Sequence, residues 1–179
     1  TLSIVPYFPF QRVRITQQAV FPDAEISQLT AVPDERFRPI CHVCGNKAQR
    51  IYRHDKRSLR DLNLGSVRVW ITCSYRKIAC ESCNRIVVED LGFFLFFSRV
   101  THRLAAYIHE LCKVLTVTEV AKHFGINWKT VKTIDKFFLE RQYAQTDYQN
   151  LRILAVDEIA VKKGHRYLTV VLDYLSGRV

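Results

Sequence analysis

Two Cys-x-x-Cys pairs constrain this chain more than any other feature of its sequence. The first pair is Cys41 and Cys44, and the second is Cys80 and Cys83. Two residues between cysteines form a short turn that directs both sulfur atoms at one metal ion, and two such pairs complete the tetrahedral coordination of a structural Zn²⁺. The sequence therefore predicts a structural zinc ion bound by these four cysteines.

The segment between the pairs is long for a compact zinc motif, so it has to fold as a hairpin or small sheet that brings them together. Apolar and polar residues alternate over residues 67–76. This period is typical of a half-buried strand leading into the second pair. We expect a zinc-ribbon-like β module, in which Cys73 and Cys112 are small core residues.

The alternatives for the paired cysteines are disulfide bonds or two unrelated buried thiol pairs. The sequence given shows neither a signal-peptide pattern nor an apolar stretch of the ~20 residues that a membrane-spanning helix needs, so nothing favours an oxidising compartment. We expect a cytoplasmic protein. His42 and His54 are alternative ligands, but four cysteines already complete the coordination.

Positive charge is concentrated in the same part of the chain. The formal net charge is +10, of which +7 lies between residues 41 and 88. Localised Lys and Arg are typical of a phosphate-binding surface, because each cation placed on a phosphate releases counterions. A solvated charged face is the ordinary alternative, and a membrane surface is disfavoured because no amphipathic helix accompanies the charges. The residues expected to contact DNA here are Arg53, Lys56, Arg57 and Arg60.

The hydrophobic period changes to that of helices after the second cysteine pair. Apolar residues recur at steps of three and four over residues 104–115. A capping box, in which Thr116 and Glu119 exchange hydrogen bonds, begins a second helix. That helix ends at Gly125, and Asn127 caps a third helix.

These helices have the spacing of a helix-turn-helix, with small Ala121 at the crossing and Gly125 in the turn. An ordinary helical hairpin is the alternative. A third helix lying in the major groove directs its first turns at base edges and phosphates. The alternative for Trp128 is that its side chain packs into the core. The residues expected to contact DNA are Trp128, Lys129, Thr130, Lys132, Thr133 and Lys136.

The last part of the sequence has the pattern of strands. Residues 151–156 form a nearly continuous apolar run, typical of a strand covered on both faces, which we expect to end at Asp157 and Glu158. A second run over 167–172 follows a basic turn at 162–166. An acidic residue leaving a buried strand is a candidate Mg²⁺ ligand in a two-metal nucleotidyl-transfer site, although a surface carboxylate is the commoner reading of such a residue.

In this order the features resemble the transposases of the ISL-three insertion-sequence group, over about residues 38–179. Such proteins have an N-terminal zinc-binding region, a helix-turn-helix and a DDE catalytic domain with an RNase H-like fold. The residues that carry the resemblance are 41–45, the basic stretch ending at 57–62, the second pair 80–83, and 154–158 followed by 163–165.

The resemblance implies binding of double-stranded DNA at the transposon ends, self-association in a transposition complex and a location at the bacterial nucleoid. It makes Asp157 the first of three carboxylates that hold two Mg²⁺ ions for attack on a phosphodiester. Glu158 and Asp173 do not match the other two acids, which we expect beyond Val179. The catalytic domain is then incomplete, and the chain is expected to be inactive alone.

The resulting expectation is an α+β chain in four parts. Residues 1–37 are a leader, 38–90 the zinc-binding domain, 98–145 the helix-turn-helix bundle, and 150–179 the first hairpin of an incomplete RNase H-like domain. Two other functions stay open. One is a zinc-containing helix-turn-helix regulator or repressor of transposition, and the other is a protein-interaction module using the aromatic cluster at 93–97. We expect that cluster to pack between the zinc and helical modules instead.

Overall fold

The computed structural model of the protein describes residues 3–145, 151–162 and 166–177. The chain divides into two compact units, residues 1–139 and 140–179. The segment 163–165, which contributes to the resemblance and to the expected basic turn, lies outside the described residues.

The first unit is built on a mixed β-sheet. Its described strands, in chain order, are β1 (Val13–Phe21), β2 (Ile26–Pro33), β3 (Arg50–Arg60), β4 (Arg68–Cys80) and β5 (Arg85–Val88). They lie in the order β1-β2-β4-β3, and β5 pairs with the C-terminal part of β4. Strand β4 confirms the predicted alternation: Val69 and Ile71 are fully buried, while Trp70 between them is 37% exposed.

Residues 1–37 differ from the expected separate leader, because they supply two strands to this same sheet. β1 and β2 form an antiparallel hairpin, and β2 runs parallel to β4 from Ile26 opposite Arg68 to Ala31 opposite Cys73. Leu29 and Ala31 are buried in the core. Parallel pairing joins segments distant in the sequence, so local patterns do not reveal it.

The predicted helices are present: α1 (His102–Cys112), α2 (Val117–Phe124) and α3 (Trp128–Gln142). Thr116 and Glu119 form the expected capping box, and Gly125 ends α2 with a φ of +63°. The side chain of Asn127 accepts a hydrogen bond from the Lys129 amide at 2.9 Å at the start of α3. None of the described helices is both long and apolar enough to cross a membrane.

The aromatic segment between the sheet and the helices contributes to both cores. Phe93 and Phe94 are buried in the sheet core, and Leu95 lies in the helical core. The ring of Phe97, which is half exposed, lies 5.0 Å from that of Phe137 on α3. The prediction that this cluster packs between the two modules is confirmed.

A buried carboxylate fixes the helices to the sheet. Asp61, directly after β3, is fully buried and accepts hydrogen bonds from the Thr101 hydroxyl at 2.6 Å and from Arg103 Nε at 2.8 Å. Arg103 also donates to the Tyr7 carbonyl at 2.7 Å and lies over the ring of Phe8. A buried charge is tolerated only when paired and hydrogen-bonded in this way, and these bonds join the end of β3 to the start of α1.

The second unit contains the antiparallel strands β6 (Leu154–Lys162) and β7 (Arg166–Asp173). The expectation that the first strand ends at Asp157 is wrong, because β6 continues to Lys162 and Asp157 pairs with Val170 within the hairpin. Apolar side chains on this hairpin are exposed, as at Val156 with 64%. A two-stranded ribbon has no second layer to bury them.

Candidate metal centre and nucleic-acid interface

The two cysteine pairs meet at one end of the β3–β4 hairpin. The Sγ atoms of Cys41 and Cys83 are 3.8 Å apart, and those of Cys44 and Cys80 are 3.6 Å apart. A tetrahedral ion with bonds of ~2.3 Å to sulfur requires about 3.8 Å between sulfurs. All four sulfurs lie within 4.8 Å of one another, so they form a cluster that could hold a metal ion.

Each cysteine pair lies in a turn stabilised by backbone hydrogen bonds. In the first, the Gly45 amide donates to the Cys41 carbonyl at 2.9 Å, and Gly45 has a φ of +73°. In the second, Asn84 adopts a φ of +49° just before β5. Glycine adopts this left-handed conformation freely and asparagine more readily than most residues, which lets both turns double back.

A side-chain bond that the sequence analysis missed joins the two turns. Asn46 Nδ2 donates to the Ser82 hydroxyl at 2.9 Å. Asn46 follows the first cysteine pair and Ser82 lies within the second. Their positions next to the cysteines are the sequence signal that could have predicted this hydrogen bond. This bond holds the turns together independently of the metal.

The thiols of the cluster have unequal pKa values. Burial raises the pKa of Cys41, but hydrogen bonds from the backbone amides of Cys44 and Val43 outweigh burial and lower it to about 7. Hydrogen bonding with Cys44, followed by burial, raises the pKa of Cys83 to about 12. A metal ion binds thiolates, so it has to displace the remaining protons.

The alternative ligands and the two other cysteines have different roles. The Nδ1 of His42 lies 2.8 Å from the Val88 carbonyl oxygen, and its ring packs against Phe96. Cys73 is fully buried in the sheet core, where burial raises its pKa to about 12. Cys112 packs half-buried against the helical core. Both cysteines are core residues, as predicted.

The basic residues of β3 differ in exposure. Arg53 and Lys56 are exposed, although Arg53 pairs with Asp55 at 3.1 Å. Arg57 is half-buried, with its guanidinium over the rings of Tyr75 and Phe94. Its role in packing reduces its availability for DNA.

The expected DNA contact at Arg60 is not supported by its position. Only 3% of this residue is exposed. Its guanidinium donates to the carbonyls of Asp61 and Val69 and to the side chain of Asn63. These bonds satisfy backbone oxygens at the end of β3, so Arg60 has a structural role that a charge pattern does not distinguish from phosphate binding.

The expected contacts on α3 share a solvent-facing side of the helix. Val131 and Ile134 are fully buried, whereas Lys129, Lys132, Thr133 and Lys136 are exposed. We call these four exposed residues the reading face. Thr130 lies beside it, half-buried. The alternative position of Trp128 in the core is wrong, since Trp128 is 50% exposed and Lys129 Nζ lies 5.9 Å from its ring centroid.

The acid within the first turns of α3 points away from the reading face. Asp135 Oδ1 lies 2.8 Å from Nδ1 of His109 on α1, which is buried and stacks on Phe138. The carboxylate of Asp135 is thereby kept away from the reading face.

Asp157 lies in the second unit, exposed on β6, where its Oδ1 accepts a hydrogen bond from the Glu158 amide at 2.8 Å. Successive residues of a strand point to opposite faces, so Glu158 lies on the other face. Asp173 pairs with Leu154, three residues before Asp157, which also puts it on that other face. Among the described residues of the hairpin, no second carboxylate shares the face of Asp157.

The arrangement of helices and the basic reading face define a helix-turn-helix DNA-binding protein. The family model described as "Helix-turn-helix domain of transposase family ISL3", the ISL-three group, matches residues 98–138. This match, together with two transposase relatives, supports the assignment of the chain as an ISL3-type transposase N-terminal region. This match implies DNA binding.

Two curated proteins similar to this chain are transposases of insertion sequences. Over 140 residues the chain is 36% identical to the transposase for insertion sequence element IS1001 of Bordetella parapertussis, covering 78% of this chain and 34% of that protein. It is 31% identical over 145 residues to the transposase for insertion sequence element IS1557 of Mycobacterium tuberculosis, covering 78% and 32%. The chain thus spans about a third of the length of these relatives. No solved structure matches it significantly.

Proposed function

We propose that this chain is the DNA-recognition region of a transposase and binds the terminal inverted repeats of an insertion sequence. The observation that carries the proposal is the reading face of α3, which lies within the part matched by the ISL3 helix-turn-helix. Lys129, Lys132 and Lys136 recur at steps of three and four, so they lie along one side of the helix. A helix of this kind enters the major groove with that side toward the bases.

The metal ion proposed for the cysteine cluster is a structural Zn²⁺. An all-cysteine set with sulfur separations near the tetrahedral value supports zinc, and four protein ligands leave no open position for a reacting water. The ion joins the turn before β3 to the turn after β4. Its contribution is to the stability of the sheet beside the helix-turn-helix.

For the complete protein we propose DDE chemistry with Asp157 as the first carboxylate and Mg²⁺ as its metal. The exposed apolar side chains of the β6–β7 hairpin support its membership of a larger, RNase H-like sheet, and the greater length of the relatives leaves room for one. The proposal includes self-association on transposon ends and a location in the bacterial cytoplasm at the nucleoid.

The test of DNA recognition uses duplexes that the chain itself selects from a random-sequence library. Lys132→Ala is expected to weaken binding by about tenfold and to relax the selected sequence, because Lys132 has no ion pair among the described residues and is available for DNA. The matched control is Lys113→Ala, which removes a lysine that pairs with Glu110 at 2.7 Å outside the reading face. Equal affinity and preference in Lys132→Ala and the unaltered chain would refute the assigned recognition helix.

A second candidate function is repression of transposition by a DNA-binding protein without catalytic activity. The observation favouring it is that the cysteine cluster and the reading face belong to unit 1–139, whereas Asp157 belongs to the other unit. Occupation of element ends by the first unit therefore does not depend on the hairpin. A reduced rate of transposition of an intact element when this chain is supplied in trans is the expected result, and an unchanged rate argues against repression.

A further inference from the structure

A cavity of about 650 Å³ opens within the first unit, between the beginning of α3 and the outer face of the sheet. The sheet contributes Ser58 of β3 and Trp70 of β4. The segment before α1 contributes Arg99, and α3 contributes Lys129, Thr130 and Thr133. None of the roles assigned above to the sheet uses this space.

The lining of the cavity has the chemistry of an anion site. Its described residues include the cations Arg60, Arg99 and Lys129 and no carboxylate. The guanidinium of Arg60 already donates to carbonyl oxygens and is not available to a ligand. Arg99, in contrast, is exposed and has no ion pair in the described part of the chain. Cationic side chains beside serine and threonine hydroxyls are the groups that most often contact DNA phosphates.

The cavity is continuous with the reading face. Lys129 and Thr133 belong to both, because they lie on the side of α3 that turns from solvent toward the sheet. When the reading face lies in a major groove, one bordering strand of the duplex runs along this side of the helix. A strand at this position meets Arg99 and the outer face of the sheet.

One wall of the cavity is aromatic. Trp70 is 37% exposed, and Arg60 beneath it lies 5.8 Å from its ring centroid. In the register of β3 and β4, Arg60 is opposite Trp70 and Ser58 is opposite Thr72. The strand pair therefore presents the indole near the Ser58 hydroxyl, which has no hydrogen bond among the described residues. An aromatic surface next to a cation suits a sugar with its phosphate.

We propose that this cavity holds the sugar–phosphate backbone of one DNA strand bordering the major groove that α3 occupies. Arg99 binds a phosphate, the Ser58 hydroxyl donates to the same strand, and Trp70 packs against a deoxyribose. The inference rests on the proposed function, and it adds the sheet to the DNA-binding surface. Asp61 fixes the distance between sheet and helices, so both contact one duplex without rearrangement.

The test measures the affinity of the full chain for a mixed-sequence duplex as a function of salt. One phosphate contact contributes a slope of about 0.9 in log affinity against log salt. The ratio of wild-type to Arg99→Ala affinity is therefore expected to fall about 3.5-fold between about 50 and 200 mM salt. Arg85→Ala, which removes an exposed arginine of β5 outside the cavity, is the matched control with the wild-type slope.

The outcomes separate the cavity from the proposed function. A wild-type slope in Arg99→Ala, or an equal decrease in Arg85→Ala, overturns the cavity as a strand site even when Lys132→Ala weakens binding. Failure of the unaltered chain to bind any duplex overturns the proposed function together with the inference.

A second measurement does not depend on removing a charge. The chain has two tryptophans, so Trp128→Phe leaves Trp70 as its only indole fluorophore. Saturation of this variant with duplex is expected to change the Trp70 emission and protect it from acrylamide quenching. An unchanged emission and quenching constant in a complex seen by gel shift overturns the proposal. A change of Trp70 emission with a single-stranded oligonucleotide but not with the duplex would also overturn the proposal, because it would indicate a base stacked on Trp70.

Discussion

Replacing Asp61 by alanine is expected to destabilise the first unit more than any other single carboxylate substitution described above. Its carboxylate accepts hydrogen bonds from Thr101 and Arg103 at a fully buried position. Hydrogen bonds to charged groups contribute about 1.5–3 kcal/mol each, and removing one partner of a buried ion pair costs about 3–5 kcal/mol. The Arg103 side chain is 31% exposed and regains water in the variant, so we expect a loss of about 3 kcal/mol.

The assay is urea unfolding followed by circular dichroism, with the melting temperature as a second measure. At an unfolding entropy of ~2.1 cal/mol/K per residue, a loss of about 3 kcal/mol over the first unit lowers its melting temperature by about 10 °C. Arg103→Ala and the double variant complete a cycle, in which the combined loss is smaller than the sum because each single change already removes the pair. Asp55→Ala, which removes partly exposed ion pairs with Arg53 and Lys77, is the control with a smaller effect.

A loss of less than about 1 kcal/mol in Asp61→Ala, the range of a surface ion pair, would contradict the role of Asp61 at the junction. Full additivity of the two single losses in the double variant would contradict it as well. Either result means that apolar packing alone fixes the helices to the sheet.

Two further predictions concern the metal and the helix cap. Cys41→Ser and Cys83→Ser are each expected to lose the one metal ion bound per chain, measured by elemental analysis, while Cys112→Ser retains it; metal retained in both of the first two variants would contradict the assigned ligands. Thr116→Ala is expected to lower the free energy of unfolding by about 1 kcal/mol, with Thr118→Ala within α2 as the neutral control. Hydrogen bonding to Thr116 lowers the pKa of Glu119, so the part of the stabilisation that comes from the Glu119 carboxylate is present above the ordinary carboxyl pKa and is lost as the pH falls through and below it. A loss that is the same at pH 7 and at pH 3 would contradict the role of Glu119.

Features that depend on neighbouring residues could be predicted from the sequence. The capping box at Thr116, the turn at Gly125 and the alternation along β4 each involve residues a few positions apart, and all three are present. The cysteine pairs were equally informative, because their chemistry requires them to meet whatever path the chain takes between them. The class of DNA-binding helix followed from the same local signals.

Tertiary structure alone decided which polar residues are available for binding. Lys56, Arg57 and Arg60 belong to the same basic run, and of these three only Lys56 is exposed. Arg57 packs against aromatic rings, and Arg60 donates to backbone carbonyl oxygens. The pairing of β2 with β4, the buried Asp61 and the cavity beside Arg99 join segments separated by about 40 to 75 positions. Sequence patterns report the period of one element, whereas burial and pairing depend on what packs against it, and that is settled only when the whole unit folds.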